Sequence, residues 1–282
     1  ASVFLDSAAQ SGGRGRYAYI AVDPYQIIKA AEIGDPFSEL EAALKAVRIH
    51  KDDRLPPFQG GAVGFFGYEL GRHMEHLPKP KKGLNIPDMV LGLFDTVAAF
   101  DTFTKKAWII AQDVVPNFGQ INLTESGLLT TRKPMAKRAE AMASRISEAS
   151  PEVPIDWTAI GKWREDLSQT EYEAMVTRVI DYIYAGDIFQ ANITQRLLAD
   201  LPDGLSPFML YRRLRALSPA PFGAYLSFDK TAILSASPER FLSLDPQGLA
   251  VTRPIKGTRP RGYNADNDKA MAKELLDSEK DR

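Results

Sequence analysis

Apolar and polar positions follow two rhythms along this chain, and the change of rhythm marks its elements. Tyr17-Ala18-Tyr19-Ile20-Ala21-Val22 is an aromatic and β-branched run closed by Asp23-Pro24, which predicts a strand. The opening run Ala1-Ser2-Val3-Phe4-Leu5 reads as its partner, across the Gly-rich turn Ser11-Gly12-Gly13-Arg14-Gly15-Arg16. Phe37, Leu40, Leu44 and Val47 recur at near-helical spacing and predict a helix over 36–50. From Gln59 to Tyr68, Gly alternates with larger apolar residues, which suits a buried strand where backbones approach closely. Val90 to Phe100 and Ala107 to Ala111 predict a hairpin across Asp101-Thr102-Phe103-Thr104.

Residues 112–133 are polar and irregular, and a helix is expected around 134–148. Pro151, Pro154 and a polar stretch to Ser168 place the expected boundary between an N-terminal region, 1–150, and a C-terminal region, 151–282. The next helix has the clearest signals. Ser168 or Thr170 caps it, and Glu171 or Glu173 completes a capping box. Tyr172, Met175, Val176, Val179, Ile180 and Ile183 form one apolar stripe, and Gly186 ends it. Asp187 to Leu198 alternates as a strand, with Gln190, Asn192, Thr194 and Arg196 on one face. That face reads either as a ligand wall or as a solvated sheet surface. Ser206-Pro207 opens a further helix to about Leu217. Two hairpins follow, Gly223–Phe228 with Thr231–Ala236 and Glu239–Leu244 with Leu249–Arg253. The expected class is α+β, mainly antiparallel sheet with packed helices.

Composition narrows the partners. The 282 residues carry 35 basic and 36 acidic side chains, a net charge of -1, so no global field favours nucleic acid or an anionic membrane. Cys is absent, which removes disulfides, thiolate metal sites and a Cys nucleophile. No apolar run reaches the roughly 18–20 residues of a membrane span. Asp6 interrupts the short apolar run at the start, so no signal peptide is read and a cytoplasmic location is expected. The chain opens on a strand without Met and closes at Arg282 in a helical run without a stop signal, which reads as a fragment.

The unusual segment is Thr252-Arg253-Pro254-Ile255-Lys256-Gly257-Thr258-Arg259-Pro260-Arg261-Gly262. Arg253, Arg259 and Arg261 flank Lys256, and converging cations would lower the Lys pKa and free its amine as a nucleophile. The same residues also read as a basic, exposed hairpin end or a phosphate-contact loop. Glu239 lies one hairpin earlier, as a general acid/base for Lys256 or as an ion-pair partner of Arg240 or Arg253. His73 and His76 are three apart but have no evident third metal ligand. P-loop, Rossmann and Ser-elbow motifs are absent from the sequence.

Four segments then occur in an order that resembles the chorismate-utilising enzymes. They are Gly60-Gly61-Ala62-Val63-Gly64-Phe65-Phe66-Gly67-Tyr68-Glu69, Ala185-Gly186-Asp187-Ile188-Phe189-Gln190-Ala191-Asn192, Ser237-Pro238-Glu239-Arg240-Phe241 and Pro254-Ile255-Lys256-Gly257-Thr258. The resemblance runs along the chain and is to component I of aminodeoxychorismate synthase and of anthranilate synthase. It implies the anthranilate synthase component I-like fold, here C-terminally truncated. Family members that make anthranilate typically carry Ala at the Lys256 position, whereas those that make aminodeoxychorismate carry Lys. Gln190 stands where isochorismate and salicylate synthases place a Lys base, and an amide cannot activate water that way.

The resemblance implies that Lys256 adds to chorismate, that Glu239 is the general acid/base, and that Gly257, Thr258 and Gln190 contact substrate. It implies ammonia from a glutamine amidotransferase subunit and Mg²⁺ bound by Glu residues that relatives carry beyond the position of Arg282. It also implies a tryptophan-binding pocket of Ser7, Arg14, Gly15, Arg16, Tyr17, Pro221, Phe222 and Gly223. The expected reaction is amination of chorismate to 4-amino-4-deoxychorismate on the route to 4-aminobenzoate and folate, with this chain alone inactive. The alternatives are anthranilate synthesis for tryptophan, or a truncated module that binds tryptophan or docks an amidotransferase.

Overall fold

The two rhythms resolve into strands and helices in a computed structural model that describes residues 1–9, 14–30, 34–78, 83–116, 133–149, 161–255, 257 and 259–279. The Gly-rich turn at 10–13, the polar stretch 117–132, the Pro-rich stretch 150–160, Lys256 and Thr258 lie outside the described residues. The N-terminal strands are β1 (Ser2–Asp6), β2 (Tyr17–Val22), β3 (Gln26–Lys29), β4 (Val47–Arg48) and β5 (Gly61–Phe66). β6 (Met89–Phe94), β7 (Thr96–Asp101), β8 (Lys106–Ala111) and β9 (Val115–Pro116) follow. The later strands are β10 (Arg164–Glu165), β11 (Leu197–Leu198), β12 (Phe222–Phe228), β13 (Thr231–Ser237), β14 (Ser243–Leu244) and β15 (Ala250–Val251). The α-helices are α1 (Pro36–Lys45), α2 (Met135–Ser147), α3 (Gln169–Ala185), α4 (Pro207–Leu217) and α5 (Ala265–Asp277). Among the described residues, no helix is long and apolar enough to cross a membrane.

The chain divides into two compact units, 1–149 with 213–282, and 150–212. The expected partition at 150 placed everything after it in one region, but residues 213–282 group with the first 149. The reason is backbone pairing: β12 lies antiparallel to β1 from Ser2↔Ser227 to Asp6↔Gly223. The larger unit therefore builds one six-stranded antiparallel sheet in the order β13-β12-β1-β2-β7-β8.

A three-stranded sheet, β3-β6-β5, packs on that large sheet. Val3, Ala21, Val97, Leu226 and Phe228 of the large sheet meet Val63, Val90 and Phe94 of the small one in a single core cluster. The alternate residues of β6, Met89, Leu91 and Leu93, point the other way. They pack with Ile28, Leu70 of the 3₁₀ turn Tyr68–His73, and Leu40 and Ala43 of α1. Both faces of β6 are thus buried, which explains its unbroken apolar sequence.

The apolar run Val90–Phe100, expected as one strand, breaks at Asp95. β6 belongs to the small sheet and β7 to the large one. Asp95 is 1% exposed, and a buried carboxylate needs partners. The Thr96 hydroxyl donates to Asp95 Oδ1 at 3.0 Å and Arg138 Nε of α2 lies 3.5 Å from the same oxygen. Arg138 also donates to the Thr96 hydroxyl at 3.3 Å and to the Gln112 carbonyl at 2.6 Å, so α2 fastens the crossover.

The smaller unit contains the best-forecast element. Glu171 N–H donates to Ser168 Oγ at 3.3 Å and Ser168 N–H donates to Glu171 Oε2 at 2.9 Å, closing the capping box of α3. Gly186 ends the helix at φ 82°. The strand expected over Asp187–Leu198 shrinks to Leu197–Leu198, paired with Arg164–Glu165. Asn192 and Thr194 are exposed, and so is Phe189 on the supposed apolar face, so alternation alone did not bury a side.

Candidate functional site

Glu239 sits where β13 stops. Pro238 has no N–H to continue the ladder, and Ser237 then turns the chain. The Ser237 hydroxyl accepts from Glu239 N–H at 3.2 Å and donates to the Glu239 carbonyl at 2.9 Å. This local ring fixes the Glu239 backbone, and the side chain is half-buried.

The β14–β15 hairpin returns the chain alongside, with Ser243 opposite Val251. The Thr252 hydroxyl donates to the Phe241 carbonyl at 2.7 Å, so the contact between the two arms extends past the paired residues toward Arg253. Lys256 and Thr258 lie outside the described residues; Gly257 between them has φ 63°, a left-handed conformation that favours glycine.

Two of the arginines that flank Lys256 in the sequence are ion-paired. Arg259 Nε binds Glu274 Oε1 at 2.8 Å, and Arg261 Nη2 binds Asp268 Oδ2 at 2.8 Å. Both carboxylates belong to α5. Asp268 also accepts from Gly262 N–H at 2.9 Å. α5 thus pairs with two of the three arginines, and Arg253 has no carboxylate partner among the described residues; the expected convergence on Lys256 itself lies outside the described residues. Gln190 is exposed in the smaller unit, in the extended stretch after Gly186.

A second constellation is brought together fully. Ser7, Arg14, Gly15, Arg16, Tyr17, Pro221, Phe222 and Gly223 all line one cleft of about 610 Å³. Backbone register does this, because the end of β1, the start of β2 and the start of β12 meet at Asp6↔Gly223 and Leu5↔Tyr19. The Ser7 hydroxyl donates to the Tyr17 carbonyl at 2.5 Å. Asp6, 4% exposed, is paired with Arg215 of α4. Sequence reasoning missed Leu5, Asp6, Tyr19, Ala224, Arg240 and Arg253 as further walls of the cleft. The two arginines lie within segments already singled out, which was the available signal.

Arg16 closes one side of the cleft. Its guanidinium lies 4.8 Å from the Tyr17 ring centroid, and Nη2 and Nε bind Asp101 Oδ2 at 2.8 and 3.1 Å. Asp101 Oδ1 accepts from the N–H groups of Phe103 and Thr104 at 2.9 and 3.1 Å. The Arg16 hydrogen bonds hold the Asp101 carboxyl well below the ordinary carboxylate range. Burial pushes the Tyr19 hydroxyl up to about 12, so it remains neutral.

A carboxyl with a lowered folded pKa adds stability above the ordinary range and loses it as pH falls through the folded value. The melting-temperature gap between wild type and Asp101→Asn should therefore be full near neutrality and close between about pH 4 and pH 2. Thermal melts across that interval check this; a gap independent of pH would contradict it.

His73 Nε2 lies 4.0 Å from Asp88 Oδ2, and His76 is exposed. Among the described residues, no group of three or more His, Asp or Glu side chains is placed to hold a metal ion. Among the described residues there is thus no ligand set for the Mg²⁺ that the resemblance implies.

Known proteins resemble this chain along its length. Anthranilate synthase component 1 of Thermus thermophilus is 33% identical over 292 residues, covering 99% of this chain and 59% of that protein. Aminodeoxychorismate synthase component 1 of Klebsiella aerogenes is 34% identical over 227 residues, covering 80% of this chain and 44% of that protein. The crystal structure of anthranilate synthase component I from Streptococcus pneumoniae superposes with a TM-score of 0.76 at 25% identity, over 97% of this chain and 59% of that one. The chain thus spans about three fifths, or less, of the proteins it matches. A family model described as chorismate binding enzyme matches residues 2–282, and this chain belongs to that family.

Proposed function

We propose that this chain carries the chorismate-aminating part of an aminodeoxychorismate synthase, with Lys256 as the nucleophile. The observation that carries the reading is Lys256 itself, in Pro254-Ile255-Lys256-Gly257-Thr258. The neutral Lys256 amine adds at C2 of chorismate, the ring double bonds shift, and the C4 hydroxyl leaves as water with a proton from Glu239. The new secondary ammonium loses its proton. Glu239 takes that proton and returns it to the Lys256 nitrogen as ammonia adds at C4 and the double bonds shift back, so Lys256 leaves C2 as the neutral amine and the new C4 ammonium gives its extra proton to the Glu239 carboxylate. The product is 4-amino-4-deoxychorismate.

Glu239 suits its part because its backbone is fixed by Ser237 while its side chain is only half-buried. Gly257 and Thr258 contact a substrate carboxylate in this reading, and Gln190 lacks a basic nitrogen to direct water at the ring. Ammonia comes from a glutamine amidotransferase partner. The cleft beside β1 and β12 is a second, non-catalytic ligand site, for which the family resemblance implies tryptophan.

A second reading, anthranilate synthesis, has support in the relatives named anthranilate synthase component 1. The amine at position 256 argues against it. Incubation of the full-length protein with chorismate, Mg²⁺ and ammonium separates the two. The first reading predicts 4-amino-4-deoxychorismate as the main product; anthranilate as the dominant product would sink it.

A further inference from the structure

The β14–β15 hairpin is short: its strands pair only at Ser243↔Val251 and Leu244↔Ala250. At its turn, Asp245 N–H donates to the Leu249 carbonyl at 3.1 Å, and Asp245 Oδ1 accepts from Leu249 N–H at 2.8 Å. Two steps past Ser243, the same register would set Phe241 opposite Arg253. The Phe241 carbonyl instead accepts from the Thr252 hydroxyl at 2.7 Å. A side chain thus closes the ladder where the backbone stops. Beyond it, among the described residues, no backbone hydrogen bond joins 238–241 to 253–255.

Each arm is held again farther out, but not to the other arm. Ser237 Oγ rings the Glu239 backbone on one side. On the other, Gly262 rests on the first turn of α5. Its N–H donates to Asp268 Oδ1 at 2.9 Å, and a Cβ there would stand 2.1 Å from the Asp268 backbone nitrogen. Among the described residues, the Thr252 bond is the one side-chain hydrogen bond that joins 238–242 to 250–255. Glu239 lies two residues before Phe241, and Lys256 four residues after Thr252.

We infer that Thr252 is a positioning residue, whose hydroxyl sets the arm carrying Glu239 against the arm that leads to Lys256. The roles of Glu239 and Lys256 rest on the amination reading; the hold between the arms does not. In that reading a proton donor on one arm and an amine on the other act on the same ring, so their separation governs the rate, and a misplacement of about 1 Å is costly. Thr252 touches neither reacting atom in this account and acts through the two arms. A single hydrogen bond limits its effect to about tenfold.

The test compares Thr252→Val with Thr252→Ser in the full-length protein, by steady-state kinetics with chorismate, Mg²⁺ and ammonium and by hydrogen exchange. Valine keeps the β-branched shape and removes the hydroxyl, whereas serine keeps the hydroxyl. Thr252→Val should lower kcat about fivefold to tenfold, with KM for chorismate within about twofold of wild type. Thr252→Ser should recover most of that loss. Exchange in residues 238–242 and 250–255 should quicken in Thr252→Val and return in Thr252→Ser. The position is exposed, so the melting temperature should move by less than about 2 °C.

A kcat for Thr252→Val within about twofold of wild type would overturn the inference. So would equal losses in the valine and serine variants, since the hydroxyl would then not be the cause. Unchanged exchange in Thr252→Val, or a loss carried by KM with kcat intact, would overturn it as well. If the full-length wild type makes anthranilate, the amination reading fails by itself. The same kcat and exchange comparison on that product then still decides whether Thr252 holds the arms.

Discussion

Lys256→Ala should lower aminodeoxychorismate formation by the full-length protein on the order of a thousandfold or more. Alanine offers no nucleophile, and without the covalent step ammonia must displace a poor leaving group directly. The loss should appear in kcat, with KM for chorismate changed much less, because the amine acts on the reacting carbon and not in general substrate binding. Glu274 and Asp268 pair with Arg259 and Arg261. Arg253 remains as the cation without a carboxylate partner among the described residues. Steady-state kinetics with ammonium as the nitrogen source checks this, and turnover by the variant within about threefold of wild type would contradict it.

Gly64→Ala should destabilise the larger unit by about 3 kcal/mol or more. A Cβ at Gly64 would stand 1.9 Å from the Val90 carbonyl oxygen and 2.8 Å from Leu91 Cα. Those atoms are backbone of β6, and β6 cannot yield cheaply. It is the middle strand of its sheet, and every one of its residues is buried. One face packs on the large sheet through Val90 and Phe94, the other on α1 and Leu70. For a unit of this size the loss corresponds to a melting-temperature drop of about 6–12 °C. Circular dichroism melts measure it, and a drop below about 2 °C would show that β5 and β6 can separate without cost.

Local signals were the legible part of the fold. Ser168, Glu171 and Gly186 announced α3 because capping is decided within a few residues. The glycines of β5 announced close backbone approach, and Gly64 shows it. What sequence order hid was long-range. The run from Val90 to Phe100 carries no mark at Asp95 that tells one strand from two, because both faces of β6 are buried and its period disappears. The union of residues 213–282 with the first 149 depends on β1 pairing with β12 across some two hundred residues. Asp187–Leu198 alternates like a strand, yet only Leu197 and Leu198 pair within the described residues.

The site divides in the same way. Eight residues of the β1–β12 cleft were legible through family resemblance, and one cleft holds all eight. Their six further neighbours were not, because Leu5, Asp6, Tyr19 and Ala224 look like ordinary strand residues and Arg240 and Arg253 look like loop charges. Pairing of Arg259 and Arg261 with α5 was equally hidden, since those carboxylates follow only after the motif ends.

Everything in the functional account turns on a covalent bond between Lys256 and the ring. Full-length protein incubated with chorismate in the absence of any ammonia source, then digested and mapped by peptide mass spectrometry, examines that bond directly. The account predicts a chorismate-derived mass on the peptide containing Lys256, lost when ammonium is added and absent from Lys256→Ala. An unmodified Lys256 peptide, together with undiminished amination by Lys256→Ala, would contradict it.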